Sequence, residues 1–117
     1  ELAGAENLNN CFYSTAYTTV NASDTLTEFI DAYTKEYGEA PNMFSALAYD
    51  ATNLGLQALE KSGKTGADLQ KAIADTKFEG LTGSFTFDKT HSPKKSVLVV
   101  NLVDGVQTEA VSVDPNK

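Results

Sequence analysis

One segment limits what this chain can fold into more than any other. Cys11-Phe12-Tyr13-Ser14-Thr15-Ala16-Tyr17 is rich in aromatic and β-favouring residues, which predicts a single early strand. Three helical patterns separate it from the next strand pattern, so it has no nearby partner. A block of helices followed by a block of strands reads as α+β. The isolated first strand is odd in a self-contained domain, and the expectation is that part of the fold is missing.

The helices are signalled by caps and periodicity. Thr25-Leu26-Thr27-Glu28 matches a capping box, and Leu26, Phe29, Ile30, Tyr33 and Tyr37 share one stripe before Gly38 ends the run. After Pro41, a second helix is predicted from about Asn42 to Ser62, stopped by Gly63. Its small residues Ala48, Ala51, Gly55 and Ala58 would admit a closely packed sheet or helix. A second box, Thr65-Gly66-Ala67-Asp68, opens a shorter helix with Leu69, Ala72, Ile73 and Thr76 facing inward.

Strands follow. Phe78 to Gly83 reads as a bend with two glycines, and Ser84-Phe85-Thr86-Phe87 alternates as a half-buried strand. Asp88 to Lys95, with Pro93 inside, reads as a polar loop. Ser96 to Val103 and Val106 to Val113 are two strands joined by Asp104-Gly105, a strong hairpin signal.

Composition excludes several partners and chemistries. The chain has 117 residues, with 16 Asp and Glu against 9 Lys and no Arg, for a net charge of −7. That balance repels polyphosphate, and no guanidinium fork is available to grip it, so neither nucleic acid nor anionic membrane is expected as a partner. No apolar run approaches the ~20 residues of a membrane helix. The chain begins at Glu1 without an export signal, which favours a signal lying outside this piece. Cys11 and His91 stand alone, too few for a zinc site or an internal disulfide, and neither metal nor cofactor is expected. Leu8-Asn9-Asn10-Cys11 resembles a lipoprotein box superficially but lacks its small residues. Cys11, in an apolar strand with no cation close in sequence, reads as a buried small hydrophobe.

No catalytic constellation can be assembled. Asp88, His91 and Ser92 lie in one loop, where consecutive residues rarely converge on a substrate atom, so His91 reads as solvated. No catalytic residue is assigned, and an enzyme is disfavoured. Tyr33 and Tyr37, on the helical stripe, read as core or boundary residues rather than ligand contacts. Phe44 differs, because it opens a helix, where a cleft wall and anion-directed N–H groups are natural. By spacing alone it counts as core slightly more than as site.

Four motifs in order then carry a resemblance. They are Phe29-Ile30-Asp31-Ala32-Tyr33-Thr34-Lys35-Glu36-Tyr37-Gly38-Glu39-Ala40-Pro41; Ala48-Tyr49-Asp50-Ala51; Phe78-Glu79-Gly80-Leu81-Thr82-Gly83-Ser84-Phe85-Thr86-Phe87-Asp88; and Val103-Asp104-Gly105. Together, covering the chain from about Thr25 onward, they resemble the C-terminal part of the branched-chain amino acid solute-binding proteins of ABC transporters. The resemblance implies an α/β chain forming the C-terminal portion of a type I periplasmic-binding-protein fold: one strand, three helices, then three strands with a terminal hairpin. Residues 1–117 would be about the last third of a two-lobed protein, mostly within one lobe, with the early strand and the hairpin near the hinge.

Further expectations come with the resemblance. Phe44 matches a position lining the pocket for an aliphatic side chain; Tyr13 and Tyr17, near the crossover, are weaker ligand-binding candidates. Tyr49 and Asp50 would serve packing and helix anchoring. The partners would be an amino acid held by the whole protein and the transporter's permease subunits, in an extracytoplasmic setting, either periplasmic or as a membrane-anchored lipoprotein. Alone, the chain would bind ligand poorly and pair with a second copy as a homodimer. The alternative is an amino-acid-sensing receptor ectodomain of the same fold.

Overall fold

The computed structural model describes residues 3–114. After a short 3-10 turn at Ala5–Asn7 come β1 (Cys11–Thr15), α1 (Asp24–Tyr37), α2 (Met43–Ser62) and α3 (Ala67–Ala74). Five strands follow: β2 (Phe78–Gly80), β3 (Gly83–Phe87), β4 (Pro93–Lys95), β5 (Val97–Val103) and β6 (Val106–Val113). With β1 they form two three-stranded sheets, ordered β1-β5-β6 and β2-β3-β4, with every ladder antiparallel.

The first strand therefore has a partner within the chain, contrary to the reading of the sequence. Cys11 to Thr15 pair with Leu102 to Leu98, more than half the chain away. Side chains clamp the register at one end. Asn9 Nδ2 donates to Asp104 Oδ1 at 2.8 Å, and the Asp104 backbone N–H donates back to Asn9 Oδ1 at 2.9 Å. Asp104 and Gly105 both adopt left-handed angles, φ 49° and 75°, as the tight hairpin turn requires.

Two of the expected caps are displaced. The cap of α1 is Ser23, whose Oγ accepts from the Leu26 N–H at 3.2 Å; Thr25 lies inside the helix and makes no box with Glu28. Asp24 in the first turn adds a charge that suits the helix dipole. Likewise α3 begins after Gly66, with no side-chain cap, so Thr65 and Asp68 form no box. The ends are as expected: Gly38 and Gly63 are left-handed and return their N–H groups to Thr34 and Leu59.

Two more strands exist than the sequence indicates. Phe78 to Gly80 is a short strand antiparallel to β3, and within the expected polar loop Pro93 to Lys95 pairs on β3's other side. Proline can sit there because β4 is an edge strand, where a missing N–H costs little.

The core is small. Leu26, Ala46, Leu54, Ala58, Phe78 and Val100 are its buried apolar residues. On α2 the buried row is Ala46, Asp50, Leu54 and Ala58, spaced at four, whereas Ala48 and Ala51 are exposed. The small-residue face expected to pack closely is thus turned out at those two positions. Cys11 is also half-exposed, with its Sγ 3.5 Å from the Asn9 carbonyl. The aromatic stripe of α1 stacks instead along its own length: Phe29 and Tyr33 lie 5.9 Å apart, Tyr33 and Tyr37 4.5 Å, and Tyr49 of α2 meets Phe29 at 5.0 Å. Among the described residues no helix is long and apolar enough to cross a membrane.

Candidate functional site

Phe44 occupies the first turn of α2, and that turn is firmly built. Asn42 Oδ1 accepts from the N–H groups of Phe44 and Ser45 at 2.9 and 3.1 Å, while Asn42's own N–H reaches Ser45 Oγ at 3.4 Å, completing a capping box. The N–H groups of Phe44 and Ser45 at this helix start are therefore occupied by Asn42. What remains is an apolar feature: the Phe44 side chain is 73% exposed on a helix end that cannot fray cheaply. It is not part of the core.

The end of β1 is tied to the same place. Thr15 Oγ1 donates to the Tyr17 carbonyl at 3.0 Å and lies 3.4 Å from Met43 Sδ, and the Tyr17 hydroxyl donates to the Pro41 carbonyl at 3.3 Å. Burial pushes the Tyr17 phenol above the usual tyrosine range, so it stays protonated and keeps that contact. Tyr17 thus presents its ring, its single proton being spent on Pro41.

Tyr13 lies two residues before Thr15 on β1, on the sheet face shared with Val100 and Thr15. Its hydroxyl oxygen accepts from Gln107 Nε2 at 2.7 Å. A cavity of about 420 Å³ opens beside Tyr17, between the first sheet and the β2–β3 turn, with Thr18, Leu26, Leu98 and Ser112 in its wall. Neither Tyr13 nor Phe44 lines it. The three residues singled out from the sequence therefore lie about one end of β1 and the start of α2 without sharing that cavity.

Elsewhere the polar groups serve the scaffold. Asp88 Oδ1 accepts from Thr90 N, Thr90 Oγ1 and Ser92 N at 2.8, 2.7 and 3.0 Å. These bonds, that from the Thr90 side chain first, hold its carboxyl below the usual carboxylate range. Exposed His91, at φ 63°, closes the loop through its backbone N–H on the Asp88 carbonyl. The loop's carboxylate, imidazole and hydroxyl are thus members of a turn.

Asp50 is only 3% exposed. Its Oδ1 accepts from the Leu81 N–H at 2.8 Å and its Oδ2 from Thr82 N and Oγ1 at 2.8 and 2.7 Å. Lys95 Nζ donates to Thr82 Oγ1 at 2.8 Å and lies 5.5 Å from the centre of the Phe85 ring. Burial pushes the Lys95 ammonium below the usual lysine range, and the Asp50 charge partly opposes this. The anchoring role expected of Asp50 has its partners here. Sequence reasoning missed Gln107, Thr82 and Lys95, since nothing local marks a side chain whose partner is far along the chain.

The mixed α/β arrangement of one long-range strand, three helices and two antiparallel sheets is a portion of the type I periplasmic-binding-protein fold. The chain belongs to the periplasmic binding protein family, whose model matches residues 1–107. It is similar to the branched-chain amino acid transporter substrate-binding protein LivJ of Streptococcus pneumoniae, solved with isoleucine: 34% identity, TM-score 0.80, covering 97% of this chain and 33% of that one. The leucine-binding protein LivK of Thermotoga maritima is 27% identical, with TM-score 0.78 over 95% of this chain and 33% of that one. A putative branched-chain amino acid ABC transporter protein of Rhodospirillum rubrum is 31% identical, with TM-score 0.73 over 86% and 30%. The chain thus spans about a third of the length of the solved structures it matches. No curated protein was matched at a significant level.

Proposed function

We propose that this chain is the C-terminal part of a two-lobed solute-binding protein that delivers branched-chain or related amino acids to an ABC importer. Residues 1–117 form one partial domain of that protein, which works outside the cytoplasm, in the periplasm or on a lipid anchor, and docks on permease subunits. It binds and does not catalyse. The observation that carries the reading is the uncovered Phe44 ring on a rigidly capped helix end, in a chain 34% identical to a protein solved with isoleucine. An exposed aromatic face suits a Leu, Ile or Val side chain, which it holds by burying apolar area. Tyr17 contributes a second ring and Tyr13 a hydroxyl from the neighbouring strand.

Alone, the chain leaves Phe12, Val97, Val103, Val111 and Val113 exposed on one face of the first sheet. A second copy is expected to cover that face in the isolated chain, which light scattering would register as a dimer.

Calorimetric titration of isoleucine, leucine and valine into the protein carrying this chain tests the main reading. Saturable 1:1 binding with a negative heat-capacity change is expected. The absence of binding by all three would sink it.

A further inference from the structure

A series of hydrogen bonds crosses the sheet face that carries Tyr13, and all of its members run in one sense. The Val20 backbone N–H can only donate, and it donates to Thr18 Oγ1 at 3.1 Å. Thr18, a buried residue, gives its own proton to Gln107 Oε1 at 2.7 Å. With its carbonyl oxygen so engaged, Gln107 turns its amide Nε2 toward the Tyr13 hydroxyl oxygen at 2.7 Å. Each side chain accepts on one side and donates on the other. A phenol has one proton, so Tyr13, accepting from Gln107, must direct that proton away from the series. The Tyr13 side is open, since the residue is 39% exposed.

The backbone explains why Gln107 can reach. It pairs with Leu102 where the β5–β6 register shifts, the next pair being Asn101 with Glu109. An extra residue in one strand sharpens the local twist and re-aims neighbouring side chains. Gln107 thereby lies on Tyr13's face of the sheet and diagonal to it, across β5.

We infer that Gln107 is a positioning residue for solute binding: held by Thr18, it sets Tyr13 as a hydrogen-bond donor to a carboxylate or carbonyl oxygen of the solute. The inference rests on the amino-acid-binding reading above and adds to it the polarity of one contact. Tyr17 cannot supply that contact, because its proton is given to Pro41.

The test is isoleucine titration into the protein carrying this chain, unaltered and as Tyr13→Phe, Gln107→Leu, Gln107→Glu, and each Gln107 change combined with Tyr13→Phe. A carboxylate at position 107 accepts from Thr18 and Tyr13 alike and so turns the phenol proton inward, whereas leucine only releases it. Gln107→Glu is expected to raise Kd about tenfold or more, and Gln107→Leu by less. In the Tyr13→Phe background both effects should fall within about twofold, since the coupling runs through the hydroxyl. Loss of affinity that persists in that background makes Gln107 merely structural and overturns the inference. So does an unchanged Kd in Gln107→Glu. Binding by the unaltered protein without coupling removes this inference alone; no binding of isoleucine, leucine or valine by the unaltered protein removes the solute reading with it.

Discussion

Asp50 on α2 and Thr82 in the β2–β3 turn meet through two hydrogen bonds to one carboxylate oxygen, 2.8 Å from the backbone nitrogen and 2.7 Å from the hydroxyl. The other oxygen takes the Leu81 N–H, so one buried side chain satisfies an entire turn. Asp50→Ala leaves the Leu81 and Thr82 backbone donors without their carboxylate. It should cost about 3 kcal/mol of stability, read as a lower urea midpoint.

The same turn admits no side chain at Gly80. A Cβ there would fall 2.5 Å from Asp50 Cγ and against the Phe78 ring. Asp50 and Phe78 are both buried and cannot yield easily. Gly80→Ala should therefore destabilise by about 2 kcal/mol, a cost of overpacking visible as a depressed thermal midpoint.

Phe44 behaves oppositely if it is a pocket wall. Phe44→Ala removes little buried area from the described fold, so denaturation should shift by no more than about 0.5 kcal/mol. Affinity for isoleucine should fall about tenfold or more, measured by calorimetry on the same preparation. A large stability loss with intact affinity would return the residue to the core.

Asp88 makes a pH-dependent contribution whose sign is fixed. Its carboxyl is held below the ordinary value of 3.8, so the folded state binds its proton less readily than the unfolded state does. The stabilisation is full above that ordinary value and is lost as pH falls through the lowered one. Asp88→Asn removes the titration. The stability gap between the two proteins should hold at neutral pH and narrow in acid, as followed by denaturation at a series of pH values.

What was legible in the sequence was local. Asp104-Gly105 fixed the terminal hairpin, and Gly38 and Gly63 fixed two helix ends, because left-handed angles are rare enough to select their residue. The helix starts were less legible. Ser23 caps α1 without a Glu or Gln three residues on, while Thr25 and Glu28 had the pattern without the geometry. Pro93-Lys94-Lys95 has the composition of a loop and is a strand only because β3 offers it an edge. At the candidate site, the position of Phe44 in the first turn of α2 was readable, but not its exposure. The Thr18, Gln107 and Tyr13 series was invisible, because its members meet only after β1 has crossed to β5 and the register has shifted.

That crossing has a consequence for how the chain is made. During synthesis at about 5–20 residues per second, Cys11–Thr15 leaves the ribosome several seconds before Leu98–Leu102 exists to receive it. Over that interval β1 waits with unmatched amides while α1, α2 and α3 can already form. The sheet must close last, around a loop holding all three helices, so its entropic cost falls on the final step. A nascent chain stalled just short of Val97 would have its helices available and its first strand open to any other chain's edge.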